Sequence, residues 1–136
     1  MEKYFTLEEA NNALVLVRPI VSDVITKMAQ SKILHEQVKK ERDLKDTNDI
    51  ALLEKLRRVE IFLNQIEYHM KELDDVGVVL KDLENGVVDF PCLHLGKVVY
   101  LCWQLSEKKV AFWHELDNGF TKRHPVDASF TSVLVA

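Results

Sequence analysis

The side chains of this 136-residue chain that can act as metal ligands, acids, bases or nucleophiles concentrate between Gly86 and Pro125. Both tryptophans, both cysteines and three of the five histidines lie in that stretch. The first half of the chain is almost wholly aliphatic and charged. We therefore expect a functional site in the second half, with the first half acting mainly as its support.

Cysteine and histidine in this stretch are potential zinc ligands, because zinc binds thiolate sulfur and imidazole nitrogen. Period-two alternation puts Tyr100 and Cys102 on one face of a predicted strand. If His114 faced Cys102 and His94 across the sheet, a nitrogen and sulfur set suited to zinc would form, with Cys92 pointing the same way as His94. The spacing matches no standard zinc motif, so ordinary residues of a small sheet are the competing interpretation.

Carboxylates in the same region favour a harder divalent ion as the cofactor. Asp74 and Asp75 end a predicted helix, where the helix dipole disfavours acids by about 0.3–1 kcal/mol each. Acids at an unfavourable helix end often mark a functional site, and binding of a cation by these acids would explain their position. Ordinary solvated acids are the alternative. The predicted metal ligands are His114, Asp82, Asp89 and Glu115.

A small basic cluster, Lys122-Arg123-His124, follows the Asn118-Gly119 turn. Arg123 is predicted to hold an anionic group against the region of His114, or else the basic cluster pairs with Asp117 or Glu115. The predicted ligand-binding residues are Tyr100, Trp103, Trp113, His114 and Arg123.

Nucleophilic catalysis has little support in the sequence. The chain has no glycine-flanked serine elbow, no phosphate-binding glycine loop and no dinucleotide fingerprint. Cys102 beside His114 is the sole conceivable pair of nucleophile and base, and a cysteine in mid-strand is expected to be buried and inert.

Two long helices are predicted ahead of this region. Thr6 and Glu9 form a capping box, and an apolar stripe follows from Leu7 to Val38 with alternating spacings of three and four. The stripe keeps its phase through Pro19, so a kinked helix is favoured over two helices. His35 lies on the stripe and is expected to be a core or interface histidine rather than a ligand.

The second helix carries the clearest pattern of the chain, a heptad seam that ends at Gly77. Asp46, Thr47 or Asn48 is the expected N-cap, and a short polar turn makes the two helices an antiparallel hairpin. This helix is too short to cover the first seventeen residues, so the first helix is expected to tie the hairpin to the rest of the domain. The seam residues are Leu52, Leu56, Val59, Leu63, Ile66, Met70 and Leu73.

The seam has two interpretations. It is either satisfied within the chain by the first helix, or it forms a homodimer in which two hairpins make a four-helix bundle. Because the partner stripe turns polar at Ser31 and His35, the distal half of the hairpin looks under-buried in a monomer. This favours a homodimer through the helical hairpin.

From Val78 the pattern changes to short β-branched and aromatic runs separated by turn residues. They predict an antiparallel meander of three or four strands, with a further β-prone run at 128–136. The predicted strands are Val78–Leu80, Val87–Phe90, Val98–Gln104 and Val110–His114.

Composition limits the classes of function. A formal net charge of −4 argues against a general nucleic-acid binder, because phosphate neutralisation needs a basic face. No apolar run is long enough for a membrane span or a signal core, so a cytoplasmic location is expected. Cys92 and Cys102 are then expected to remain free thiols.

Several segments together resemble the bacterial domain of unknown function family 2203, over Tyr4 to Pro125. They are Tyr4–Asn11, Leu16–Ile20, Gly77–Asp82, Gly86–Pro91, Tyr100–Trp103 and Trp113–Phe120. The resemblance implies a bacterial intracellular protein and no known activity. The positions it marks are Asp82, Asp89, Tyr100, Cys102, Trp103, Trp113, His114 and Arg123. Cys92-Leu93-His94 departs from the family pattern, which weakens any metal site that needs Cys92 or His94.

The sequence thus predicts an α+β domain over residues 1–136, with a long antiparallel helical hairpin at 1–77 and a small antiparallel sheet at 78–136. The predicted function is a non-catalytic, dimeric, cytoplasmic binding or scaffold protein with a ligand or partner site around His114. The alternative is a metal-dependent enzyme whose ion is held by His114 and nearby carboxylates.

Overall fold

The computed structural model describes residues 3–44 and 50–131. Two α-helices are followed by a five-stranded antiparallel meander in the order β1-β2-β3-β4-β5. Two short 3₁₀ helices, Phe120–Lys122 and Ala128–Phe130, flank the last strand. The elements are α1 Leu7–Leu44, α2 Ile50–Val76, β1 Val79–Asp82, β2 Val87–His94, β3 Lys97–Gln104, β4 Phe112–His114 and β5 His124–Pro125. The predicted α+β hairpin-plus-sheet fold is confirmed.

Helix α1 begins with the predicted capping box. The Glu9 amide donates to Thr6 Oγ1 at 3.1 Å, and the Thr6 amide donates to Glu9 Oε1 at 2.9 Å. The helix runs unbroken through Pro19 as a single element. Its predicted stripe is buried except near the far end, where His35 is exposed and Leu34 is buried instead. His35 is therefore not part of the core of the single chain, where the buried stripe follows Ser31, Leu34 and Val38, and the interface position expected for it stays a prediction.

Helix α2 packs along α1 through most of the predicted seam and ends, as predicted, at Gly77. Gly77 has φ +97°, the left-handed conformation of a C-cap, and its amide donates to the Leu73 carbonyl at 3.1 Å. Leu63 is the exception within the seam, since half of its surface remains exposed. The N-cap candidates Asp46, Thr47 and Asn48 lie outside the described residues.

The sheet differs from the prediction at its C-terminal side. Strand β4 begins at Phe112 rather than Val110, because the Val110 amide and carbonyl bond to the Asn11 side chain of α1 at 2.8 and 3.2 Å. The two-residue strand β5 was not predicted. Of the β-prone run at 128–136, Ala128–Phe130 is a 3₁₀ helix and 132–136 lies outside the described residues.

The two faces of the sheet have different partners. The inner face packs on α1, where Phe90, Leu101 and Trp103 meet Val17 and Val21 in one core. The first helix therefore ties the hairpin to the sheet, as predicted. Arg18 reinforces this junction: its guanidinium lies 5.1 Å from the Trp103 ring and donates to three carbonyls of the loop after β3. The opposite face, called the outer face below, carries the polar residues.

Among the described residues, neither α1 nor α2 contains a window apolar enough to cross a membrane.

Candidate functional site

Three neighbouring strands bring three polar side chains together on the outer face. Asp89 of β2 lies directly opposite Cys102 of β3, and His114 of β4 follows two residues after Phe112, which also lies opposite Cys102. Directly opposed residues of antiparallel strands point to the same face. All three side chains are buried, and their ligand atoms lie within 4.8 Å of one another.

The His114 ring is held from both sides. Its Nδ1 lies 2.8 Å from the Glu115 carbonyl oxygen, and its Nε2 lies 3.0 Å from Asp89 Oδ1. Because a carbonyl oxygen only accepts, Nδ1 carries a hydrogen. One further proton then lies between Nε2 and the Asp89 carboxyl group, so the buried pair is neutral as a unit whichever atom holds it.

The Cys102 thiol is the third member of the cluster. Burial and, to a lesser extent, the Asp89 carboxylate raise its pKa to about 12, although the Arg123 guanidinium opposes the shift. The thiol is therefore protonated at neutral pH. Since a thiol is a poor nucleophile and His114 Nε2 faces Asp89, the structure gives no support to Cys102 and His114 as a nucleophile–base pair.

Arg123 lies near Cys102 and is fully engaged by other neighbouring groups. Its guanidinium makes a bidentate pair with Glu107 at 2.9 and 2.5 Å, and it lies 4.1 and 4.0 Å from the Phe112 and Phe120 ring centroids. This arrangement anchors the chain that follows β4 over the outer face. Arg123 does not line the adjacent cavity.

A cavity of about 440 Å³ opens beside the cluster, called the outer-face cavity below. Asp89 and His114 reach it from the sheet, the β1–β2 turn forms one wall, and the segment after β4 forms the other. The size falls in the range of roughly 300–1,000 Å³ that is usual for small-molecule sites. Its other lining residues are Lys81, Asp82, Asn85, Val87, Tyr100, Gln104, Leu116, Asn118, Gly119, Phe120 and Thr121.

The predicted ligand-binding residues divide between the two faces. Tyr100 and His114 lie together at the outer-face cavity, with ring centroids 5.5 Å apart. Trp103 and Trp113 lie on the inner face instead, where Trp103 is fully buried and donates through Nε1 to the Glu107 carbonyl at 2.9 Å. Both tryptophans therefore serve the core and are separated from His114 by the sheet.

The predicted metal ligands also separate. Asp82 lines the cavity, but hydrogen bonds from the Asn85 side chain and from the Asn85 and Glu84 amides occupy its carboxylate and hold its pKa below the ordinary value. Glu115 is exposed, and its carboxylate pairs with Lys97 at 3.3 Å. Of the predicted set, the structure joins only His114 and Asp89.

The proposed nitrogen and sulfur set with His94 does not assemble. Cys92 belongs to the inner-face core, and His94 stacks on Phe130 at 3.7 Å and bonds Ser129 Oγ at 3.1 Å. Cys92 and Cys102 are free and lie on opposite faces of the sheet. The third potential metal ligand beside His114 and Asp89 is Cys102, and neither Asp82 nor Glu115 belongs to the cluster.

Sequence reasoning missed Lys81, Asn85 and Phe120 as cavity residues. The Asn118-Gly119 turn indicates that the chain reverses after β4, but no pattern in the sequence shows that the chain then folds over the outer face. Asn85 precedes a glycine between two predicted strands, which indicates a turn and no further role.

The protein is thus an α+β protein in which a helical hairpin supports a small sheet, and the outer face of that sheet carries a buried Asp–Cys–His cluster beside a cavity. The chain belongs to the family described as uncharacterized conserved protein DUF2203, whose model matches residues 3–126. No curated protein and no solved structure matches the chain.

Proposed function

We propose that this protein binds a small organic ligand in the outer-face cavity, with His114 at its floor, and does so without catalysing a reaction. The observation that carries the proposal is the buried, hydrogen-bonded His114–Asp89 pair at the floor of an open cavity. Buried polar groups are costly to keep, and a pair that borders a cavity offers hydrogen bonds to a bound molecule.

The wall chemistry indicates the class of ligand. Lys81 is the cationic residue among the cavity lining, and its Nζ lies 6.0 Å from the Tyr100 ring centroid. Phe120 and Leu116 supply apolar surface, while Gln104 and Asn118 supply amide donors and acceptors. These features fit a small molecule with one anionic group and one apolar portion.

The test is a ligand-observed NMR screen of small aromatic and aliphatic carboxylates and phosphates against chelator-treated protein. Bound compounds are expected to lose affinity in Lys81→Ala and Tyr100→Ala. Lys97→Ala is the matched control, because Lys97 is exposed, pairs with Glu115 and does not line the cavity. Hits that bind equally to all variants would contradict the proposal.

A metal-dependent enzyme is the second candidate. The observation that favours it is the group of three buried potential ligands next to a cavity able to hold a substrate. In that case Tyr100 would contact the substrate. Turnover of chromogenic esters or phosphate esters that needs both added zinc and Asp89 would support the enzyme, and metal binding without turnover would favour the binding protein.

We also propose that the protein is a cytoplasmic homodimer through its helical hairpin. The seam of α2 mostly faces α1, but Leu53, Ile61 and Tyr68 lie outside the seam and are 56%, 46% and 64% exposed. Their spacing of eight and seven residues forms one stripe along the helix, which fits the same stripe of a second copy.

Light scattering after size exclusion tests the dimer at micromolar concentration. The wild type is expected at twice the mass of one chain, and Ile61→Lys combined with Tyr68→Lys is expected as a monomer. Leu93→Lys is the control, because Leu93 is equally exposed at 57% but lies on the sheet. A monomeric wild type would exclude the dimer.

A further inference from the structure

We propose that Asp89, Cys102 and His114 form a binding site for a zinc-class divalent ion whose fourth coordination position opens into the outer-face cavity. This assigns to the cluster a metal rather than only an internal hydrogen-bond network. The site shares its floor with the proposed ligand cavity, but it needs no organic ligand.

The distances between the potential ligand atoms are close to those of a metal site. Tetrahedral zinc with ordinary bond lengths holds its nitrogen, oxygen and sulfur ligands roughly 3.3–3.6 Å apart. Here the three atoms lie within 4.8 Å of one another, and His114 Nε2 is 3.0 Å from Asp89 Oδ1. An ion would open the His–Asp pair slightly and draw in the sulfur, without any change in the strands.

The scaffold fixes these atoms in place. The three residues belong to neighbouring strands and each is buried: Asp89 lies opposite Cys102, and His114 lies on the same face of the next strand, opposite Tyr100. Sites built on paired strands are held more tightly than sites on loops. The cluster is therefore organised before an ion arrives, which reduces the cost of binding.

The surrounding groups are those that metal ligands usually have. The Nδ1–H of His114 donates to the Glu115 carbonyl at 2.8 Å, which turns Nε2 toward the cluster. The Arg123 guanidinium is fixed by Glu107 and favours the ionised form of Cys102 by lowering the pKa of the thiol. A nearby positive charge of this kind stabilises a thiolate, which is the form of cysteine that binds metals.

The charges balance when an ion replaces protons. Without an ion, the His114–Asp89 unit and the Cys102 thiol are both neutral. With an ion, the thiolate and the Asp89 carboxylate carry two negative charges against the two positive charges of the metal, and His114 binds through neutral Nε2. Two protons therefore leave for each ion bound.

The mixed donor set selects the class of ion. Thiolate and imidazole suit zinc and cobalt, whereas magnesium and calcium require oxygen ligands almost exclusively. Three protein ligands and one position open to a cavity are the arrangement of reactive rather than structural zinc sites. Water or an anionic group of a ligand would fill the fourth position.

Cobalt(II) titration of the untagged, chelator-treated full chain tests the site, followed by competition with zinc. We expect one ion per chain, a sulfur-to-cobalt charge-transfer band in the near ultraviolet, and displacement by zinc but not by magnesium. Cys102→Ser is expected to abolish the band and to weaken binding at least about tenfold. Asp89→Asn is expected to weaken binding while keeping the band.

Cys92→Ser is the matched control, because it removes the other buried thiol from the inner face. It leaves Cys102 as the single thiol, so its cobalt band decides the question even if Cys102→Ser fails to fold. The absence of the band in Cys92→Ser, or unchanged affinity in a folded Cys102→Ser, would overturn the site. Since the ligand screen uses metal-free protein, failure of the metal site and failure of the ligand cavity are separate results.

Discussion

The inner and outer faces of the central strands β2–β4 are built from alternating residues of the same segments, yet they do different work. On the inner face Phe90, Leu101 and Trp103 are covered by a long helix and bury only apolar surface and one satisfied indole. On the outer face Asp89 and His114 are just as buried, but a short irregular segment covers them.

The two faces therefore differ in what they contribute to the stability of the fold. Apolar burial on the inner face stabilises the domain by itself. The buried polar groups of the outer face are at best neutral for stability compared with well-packed apolar residues. Buried polar groups beside a cavity depart from the rules of stable packing, and such departures are most often found at functional sites.

Loss of the inner-face core should have the largest effect on stability. Trp103→Ala removes a fully buried ring and its hydrogen bond to the Glu107 carbonyl, so the free energy of unfolding should fall by about 3–5 kcal/mol. Urea denaturation measures it. Tyr100→Ala on the outer face, where the ring is only partly buried, should cost clearly less. Equal costs would show that the two faces contribute equally to stability.

Removal of one polar partner on the outer face should have the next largest effect. His114→Ala leaves Asp89 buried without its partner and should lower the free energy of unfolding by about 3 kcal/mol. Asp89→Ala should also destabilise, and the double variant should cost less than the two single costs added together, by on the order of 1–3 kcal/mol. Additive costs in urea denaturation would show that the pair is not coupled.

The turn between β1 and β2 joins the cavity wall to the helical side, and Gly86 is its tightest point. Gly86 has φ +71°, and an added Cβ would lie 2.9 Å from Leu105 Cβ and 3.1 Å from Val21 Cγ1. Gly86→Ala should therefore lower the free energy of unfolding by about 2 kcal/mol, from strain and overpacking together.

Gly96 provides the control for this effect. It has a similar φ of +78°, but a Cβ there would meet nothing within 4 Å. Gly96→Ala should cost about 1 kcal/mol, from the backbone conformation alone. If the free energy of unfolding falls by the same amount in both variants, crowding against Val21 and Leu105 contributes nothing to the effect at Gly86.

The sequence is sufficient to predict the packing of the inner face, but it is insufficient to predict which residues meet on the outer face. The spacing of Leu14, Val17 and Val21 predicted a helix stripe, and a helix longer than its partner needed another surface to cover. The pairing of Asp89 with Cys102 depends on register, which the turn at Leu95-Gly96 sets and which periodicity alone does not give.

The predicted metal set failed to converge for the same reason. Asp82 and Glu115 lie near Asp89 and His114 along the chain. However, Asn85 in the β1–β2 turn occupies the Asp82 carboxylate, and the exposed Lys97 pairs with the Glu115 carboxylate. The positions of acidic residues in the sequence do not show which of their carboxylates are already occupied by hydrogen bonds of this kind. Cys102 was placed on the correct face by alternation, and only the three-dimensional register showed it to be opposite Asp89.

The two thiols give the smallest predicted effect and compare the faces directly. Burial raises the pKa of Cys92 to about 11, and burial with the Asp89 carboxylate raises that of Cys102 to about 12, from an ordinary value of 9.0. Because the folded values are higher, the unfolded chain ionises first. This stabilising contribution is complete below about pH 9 and is lost as the pH rises toward 11 and 12.

At pH 10 each thiol should therefore lower the free energy of unfolding by about 1 kcal/mol relative to pH 8. Urea denaturation of metal-free Cys92→Ala and Cys102→Ala at both pH values isolates each thiol from the lysines and tyrosines that titrate nearby. Each variant should lose less stability than the wild type between the two pH values. A wild-type slope that persists in Cys102→Ala but not in Cys92→Ala would mean that the outer face is open to solvent, and that its polar cluster is far easier to reach than the inner core.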